Sequence, residues 1–177
     1  MIRHFYVIVY RNASFKMNYE ERDYINMNNQ TAEDIKNPKL IEAIQKMRKH
    51  DNEVTRSRVA EALMEAHLLS PIVRQNVIGE QGPSVRIRFE ELRNGAGDKY
   101  YMAYTDLNEY NKWNDDSKHN HALIMTMQEF GHILIRTPND MKGFVVNPYG
   151  ENLIIPKSLL LSLLQQHEAM QAQKGKK

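Results

Sequence analysis

Two short apolar runs, Gly143–Asn147 and Asn152–Ile155, stand on either side of Pro148-Tyr149-Gly150. Proline presets φ for a tight turn and glycine can take a positive φ, so the segment predicts two strands joined as a hairpin. Helices flank this pair in the sequence. Upstream, Thr126-Met127-Gln128-Glu129 is a capping-box pattern, in which the Thr and Glu side chains satisfy each other's otherwise unpaired backbone donors. The helix it opens places Met127, Phe130, Ile133 and Leu134 on one face and stops before Pro138. Downstream, Pro156 starts a final helix with Leu159, Leu160, Leu163, Leu164 and His167 on its inner side.

Earlier segments follow the same two periods in no regular order. Asn37 is placed to cap a helix, and Pro38 suits its first turn. Leu40, Ile41, Ile44 and Met47 then recur at helical spacing. A polar break at His50-Asp51-Asn52 leads to a second helix with Val59, Ala62, Leu63 and Ala66 on one face, which predicts a helical hairpin. Leu68–Val73 reads as a short strand. Ser84–Leu92 alternates Val85, Ile87 and Phe89 with Arg86, Arg88 and Glu90, the period of a sheet with one wet face. Asn94-Gly95-Ala96-Gly97-Asp98 is a turn, and Lys99–Tyr104 resumes as a strand. A short helix over 105–114 buries Leu107, Tyr110 and Trp113, and Ala122–Met125 is a buried strand. Without strand–helix–strand alternation, the fold class is α+β: a mainly antiparallel sheet flanked by helices, with an N-terminal helical hairpin and a C-terminal helix.

Length and composition bound the rest. A chain of 177 residues suits one principal domain. Residues 1–36 read as an extension: Phe5–Tyr10 has strand character, Arg11–Lys36 is polar and weakly periodic, and Met27 is the favoured start of translation. Residues 37–170 make the domain and 171–177 a polar, frayed tail. With 24 basic against 22 acidic side chains, the formal charge of +2 gives no broad attraction to nucleic acid or acidic lipid. There is no cysteine, which excludes a disulfide scaffold, a thiolate zinc site and a cysteine nucleophile. The apolar run Phe5–Tyr10 is far short of the ~20 residues of a membrane span, and the expected location is the cytoplasm.

From Asn37 to Gln166 the chain resembles the N-terminal domain of the bacterial enhanced-serine-sensitivity family, SseB. The resemblance is carried by Asn37-Pro38, by Glu61-Ala62-Leu63-Met64-Glu65-Ala66 running into Leu68-Leu69-Ser70-Pro71-Ile72-Val73, and by Tyr104-Thr105-Asp106-Leu107 with Trp113. Its most specific part is Gly143-Phe144-Val145-Val146-Asn147-Pro148-Tyr149-Gly150-Glu151-Asn152-Leu153. What it implies is an intracellular α+β domain; it supplies no catalytic residues.

Few residues suggest chemistry. His119-Asn120-His121, with Glu129 and His132 following, is the cluster that most invites a metal, yet a site needs three or four convergent ligands. The 94–98 loop lacks the Gly-Lys-Ser/Thr ending of a phosphate loop and is followed by a strand. Asp106, Glu109, Asp115 and Asp116 fit helix starts and solvated loops better than paired catalytic acids. Arg86, Arg88 and Arg93 with Tyr100, Tyr101 and Tyr104 outline a basic–aromatic sheet face, but no motif accompanies them, so nucleic acid is not the expected partner. The expectation is therefore a non-catalytic binding or regulatory module with no metal or cofactor and a protein partner. Trp113, Phe144 and Tyr149 are its candidate anchors, aromatics being favoured at hot spots. Two alternatives stay open: a metal-dependent hydrolase using His119, His121 and His132, and a sensor of a small metabolite such as an amino acid.

Overall fold

The computed structural model describes residues 6–8, 32–79, 82–113, 121–137 and 140–174. In chain order the elements are β1 (Tyr6–Ile8), α1 (Pro38–Lys49), α2 (Glu53–Glu65), β2 (Leu68–Gly79), β3 (Gly82–Phe89), β4 (Glu91–Arg93), β5 (Lys99–Ala103), α3 (Leu107–Trp113), β6 (His121–Met125), α4 (Met127–Arg136), β7 (Met141–Val146), β8 (Leu153–Pro156) and α5 (Lys157–Lys174). Met17, Met27, Asp115, Asp116, Lys118, His119, Pro138 and residues 175–177 lie outside the described residues.

The strands form two four-stranded sheets, ordered β1-β6-β2-β3 and β4-β5-β7-β8. Most pairs are antiparallel, with β1–β6 and β5–β7 the parallel ones. The α+β class is therefore correct, but the sheet is divided. The alternating run Ser84–Leu92 is not one strand: it breaks at Glu90, whose N–H donates to the Pro71 carbonyl at 3.0 Å. Before the break β3 pairs with β2 down to Ile72↔Phe89; after it β4 pairs with β5. β2 also changes partner there, since Leu68–Pro71 pairs with β6. Leu69 and Tyr104 join the sheets by exchanging backbone bonds of 2.9 and 2.8 Å, and the buried Ser70 Oγ donates to the Met102 carbonyl at 2.9 Å.

Local chemistry sets the helix ends. Thr126 and Glu129 form the expected capping box at α4: the Thr126 N–H donates to Glu129 Oε2 at 2.7 Å, and Thr126 Oγ1 accepts from the Glu129 N–H. Asn52 and Thr55 do the same for α2, with Thr55 in place of the usual acid. Asn37 does not behave as expected, because its side chain makes no cap bond to α1. Its amide instead donates to the His67 and Thr105 carbonyls, 2.7 Å each, tying the start of α1 to the entries of β2 and α3.

The larger core cluster joins Leu40 and Ile44 of α1, Val59 and Leu63 of α2, Leu68 and Leu123 from the first sheet, and Phe144 and Val146 from the second. Phe130 of α4 stacks on Phe144 with centroids 4.5 Å apart and planes 12° apart. α5 lies against α4, β7 and β8. The two helices meet closely at Gly131, where a Cβ would run into the Leu164 side chain. Among the α5 residues whose burial is described, Leu160 is the fully buried one; Leu163, Leu164 and His167 are half-buried. Leu159, one position round the helix, is exposed. The helix also continues to Lys174, through residues expected to belong to a frayed tail.

Ahead of Asn37, Tyr6–Ile8 pairs with His121–Leu123 of β6, and Ala32 and Ile35 are buried. They belong to a second cluster with Leu69, Met102, Tyr104, Tyr110, Ala122 and Ile124. Asn37→Ala should lower stability by about 1–3 kcal/mol in urea unfolding, because two carbonyls lose a donor at once. A change below about 0.5 kcal/mol would show that the amide does not hold these segments together.

Candidate functional site

The best-organised surface feature is the turn between β7 and β8. β7 pairs with both β5 and β8, so Gly143-Phe144-Val145-Val146 is buried on both faces, as a continuous apolar run predicts. Asn147 and Asn152 bracket the turn, both at φ 48. The sequence suggested Gly150 as the left-handed residue; the structure gives that conformation to the two asparagines, which tolerate it best among non-glycine residues. Gly150 leaves room for the Glu109 side chain instead. A Cβ there would strike Glu109 Oε2.

Asn147 is fully buried and every polar group it carries is engaged. Its N–H donates to the Ala103 carbonyl at 2.8 Å, and its own carbonyl accepts from Gly150 and Asn152 N–H groups at 2.9 and 2.8 Å. In the side chain, Oδ1 accepts from the Thr105 N–H at 2.9 Å, and Nδ2 donates to Thr105 Oγ1 at 2.9 Å and Glu151 Oε2 at 2.7 Å. Thr105 Oγ1 donates to Asp106 Oδ2 at 3.0 Å, and Asp106 Oδ1 accepts from the Glu109 N–H at 3.0 Å. Arg48, near the end of α1, donates to the Glu151 and Asn152 carbonyls. Glu109 is paired through Oε1 with Lys112, while its Oε2 is buried against Gly150 with no hydrogen-bond partner among the described residues.

Tyr149 stands at the turn and is 57% exposed. Trp113 is half-buried; it stacks on Tyr104 at 6.3 Å and meets Tyr110 edge-on at 5.8 Å. Burial pushes the Tyr104 hydroxyl well above its ordinary pKa, and the neighbouring Tyr149 hydroxyl adds to the shift. Burial likewise raises Tyr110, whose hydroxyl reaches the His121 carbonyl at 3.4 Å. Phe144, proposed from sequence as a third anchor, has no exposed surface and packs on Phe130. The reason is that β7 is a central strand, so both of its faces are covered.

Other candidate groupings fare differently. His121 lies at the start of β6 and His132 is exposed on α4; among the described residues no three histidines or acids are placed to share a metal ion. Asn94 Oδ1 accepts from the Ala96 and Asp98 N–H groups, and Gly97 has φ 85, so the 94–98 loop is a hairpin turn. The basic–aromatic face is not assembled: β3 and β5 lie in different sheets, and Tyr101 and Tyr104 are buried. The groove between α1 and α2, of ≈ 290 Å³, is lined mainly by charges of both signs. Two ion pairs lie among them, Lys39–Glu65 at 3.4 Å and Lys46–Glu42 at 2.5 Å.

Sequence reasoning missed Arg48, Thr105 and Asn147 as the supports of the turn. The one local signal was the pair of asparagines at its two ends. Gly150→Ala should cost about 1 kcal/mol in the native background and distinctly less when Glu109 is already Ala, since the clash is with that carboxylate. Equal costs in both backgrounds, measured by a double-mutant cycle in urea, would show that Gly150 is not there to make room for Glu109.

Residues 40–160 match the family model for the SseB protein N-terminal domain. Searches of curated proteins and of solved structures gave no match. The matched span runs from Leu40 within α1 into the first turn of α5, including both halves of the β7–β8 hairpin and the turn between them. With more than half of the chain inside that match, this protein belongs to the SseB N-terminal domain family.

Proposed function

We propose that the chain is a non-catalytic binding or regulatory module of the cytoplasm, and that the 147–152 turn, with Tyr149 at its exposed point and Trp113 as the second aromatic, is where it meets a protein partner. The observation that carries this reading is a contrast within a few residues. The turn backbone is fixed by the Asn147 amide, by Arg48 and by its own internal bonds, while Tyr149 is left 57% exposed. A rigid support under an exposed aromatic keeps the ordering cost of binding low, and aromatics are enriched among residues that dominate interface energies. Among the described residues no helix is long and apolar enough to cross a membrane.

Pull-down from native lysate with the full chain as bait, read by mass spectrometry, tests the reading. Tyr149→Ala should lose a reproducible partner, with an affinity drop of roughly 30-fold or more, the size of a hot-spot loss. Val54→Ser, which changes an equally exposed apolar residue on α2, should keep it. Retention of every partner by Tyr149→Ala would contradict the assignment of this face. Elemental analysis of the same bait showing about one metal per chain, with no partner, would move attention to the histidines.

A further inference from the structure

The chain contains one Asn-Gly step, Asn94-Gly95, and it lies in the turn of the β4–β5 hairpin. When glycine follows asparagine, its backbone nitrogen reaches the side-chain carbonyl with least hindrance, because glycine brings no Cβ. Both residues are exposed, and a Cβ built on Gly95 would meet nothing within 4 Å, so water reaches this step. Backbone bonds close the turn around it: the Asn94 N–H donates to the Asp98 carbonyl at 3.0 Å, and the Gly97 N–H to the Asn94 carbonyl at 2.9 Å. The Asn94 side chain is held as firmly. Its Oδ1 accepts from the Ala96 N–H at 3.0 Å and the Asp98 N–H at 2.9 Å, and its Nδ2 donates to Asp98 Oδ2 at 3.2 Å.

We propose that Asn94-Gly95 is a self-modification site, at which the turn promotes conversion of Asn94 to aspartate and isoaspartate with water as the co-reactant. The Gly95 nitrogen gives its proton to solvent and bonds to Asn94 Cγ, and the carbonyl electron pair moves onto Oδ1. The Ala96 and Asp98 N–H groups already point at that oxygen and hold the negative charge as it forms. When the electron pair returns, the Cγ–Nδ2 bond breaks, and the nitrogen takes a proton from solvent and leaves as ammonia. A cyclic imide remains, which water opens in either of two ways. Cleavage of the new Cγ–N bond restores the main chain with aspartate; cleavage of the original peptide bond leaves isoaspartate, with the chain running through Cγ. The two donors speed the reaction, since a hydrogen bond to an anionic oxygen is roughly twice as strong as one to a neutral carbonyl. Fixing the side chain beside the nucleophile also removes freedom that a flexible chain must lose first. Either product loses the Nδ2 donor and adds a carboxylate close to Asp98, so repulsion replaces a hydrogen bond beside β4, a strand of three residues. This inference stands on the 94–98 turn and holds or fails independently of any partner at Tyr149.

The test follows the full chain over time at neutral pH, folded in buffer and unfolded in guanidinium chloride. Peptide mass spectrometry, with the aspartate and isoaspartate peptides separated by chromatography, gives the rate at position 94, and released ammonia is measured alongside. The folded chain should convert Asn94 about tenfold faster than the unfolded chain. Gly95→Ala adds a methyl group in open space, so its circular dichroism should match the unmodified chain while conversion slows severalfold. Conversion no faster in the folded chain than in the unfolded one would overturn the proposal, because the turn would then not promote the reaction. Equal rates in folded Gly95→Ala and the unmodified chain would also overturn it, because attack by the residue-95 nitrogen would not be the governing step.

Discussion

The buried amide of Asn147 ties three parts of the molecule together: the end of β7, the chain leaving β5 for α3, and the turn that leads into β8. A primary amide has two donors and an acceptor with two lone pairs, and burying one without partners costs several kcal/mol. Here both donors and the oxygen are used, so the group contributes specificity as well as stability. It admits one geometry of Thr105 and Glu151 and disfavours others. The left-handed backbone at Asn147 belongs to the same solution, since it turns the chain sharply while leaving the side chain in the interior.

Much of the surrounding arrangement follows. With Thr105 held, its hydroxyl donates to Asp106, and Asp106 can accept from the first turn of α3. With α3 placed, Tyr110 and Trp113 complete the aromatic cluster on Tyr104. Tyr104 also bonds the second sheet to the first through the Leu69 backbone, beside the Ser70–Met102 bond. The turn, the sheet junction and the aromatic floor beneath Ala32 and Ile35 are therefore one connected structure. Exposed ion pairs such as Arg56–Asp51, at 2.7 Å, contribute far less, because water screens them.

What could be read from sequence was local. The Thr126–Glu129 box, the 94–98 turn and the strands on either side of Pro148-Tyr149-Gly150 depend on residues within a few positions of one another, and the structure has all three. The exposure of Tyr149 was legible for the same reason. The misses were long-range. The regular alternating run breaks at Glu90 because pairing passes there from β2 to β5, and no local pattern announces that. Asn37 has the sequence of a helix cap but spends its amide on partners 30 and 68 positions away. Phe144 looked available because it adjoins the turn, yet a central strand leaves neither face open. Ala32 and Ile35 sit in a polar stretch without period, so their burial depends on an aromatic cluster assembled from distant segments.

Comparing two asparagines tests the central claim most directly. Asn147 and Asn152 share φ 48 and flank the same turn, but only the Asn147 side chain carries the buried hydrogen-bond network. Urea unfolding of Asn147→Ala and Asn152→Ala therefore separates the amide from the backbone strain common to both. The account predicts a loss of about 3–5 kcal/mol for Asn147→Ala, which strands the Thr105 N–H and a carboxylate oxygen, against about 1 kcal/mol for Asn152→Ala. Equal losses would contradict it, and would mean that the turn depends on its left-handed backbone rather than on the amide of Asn147.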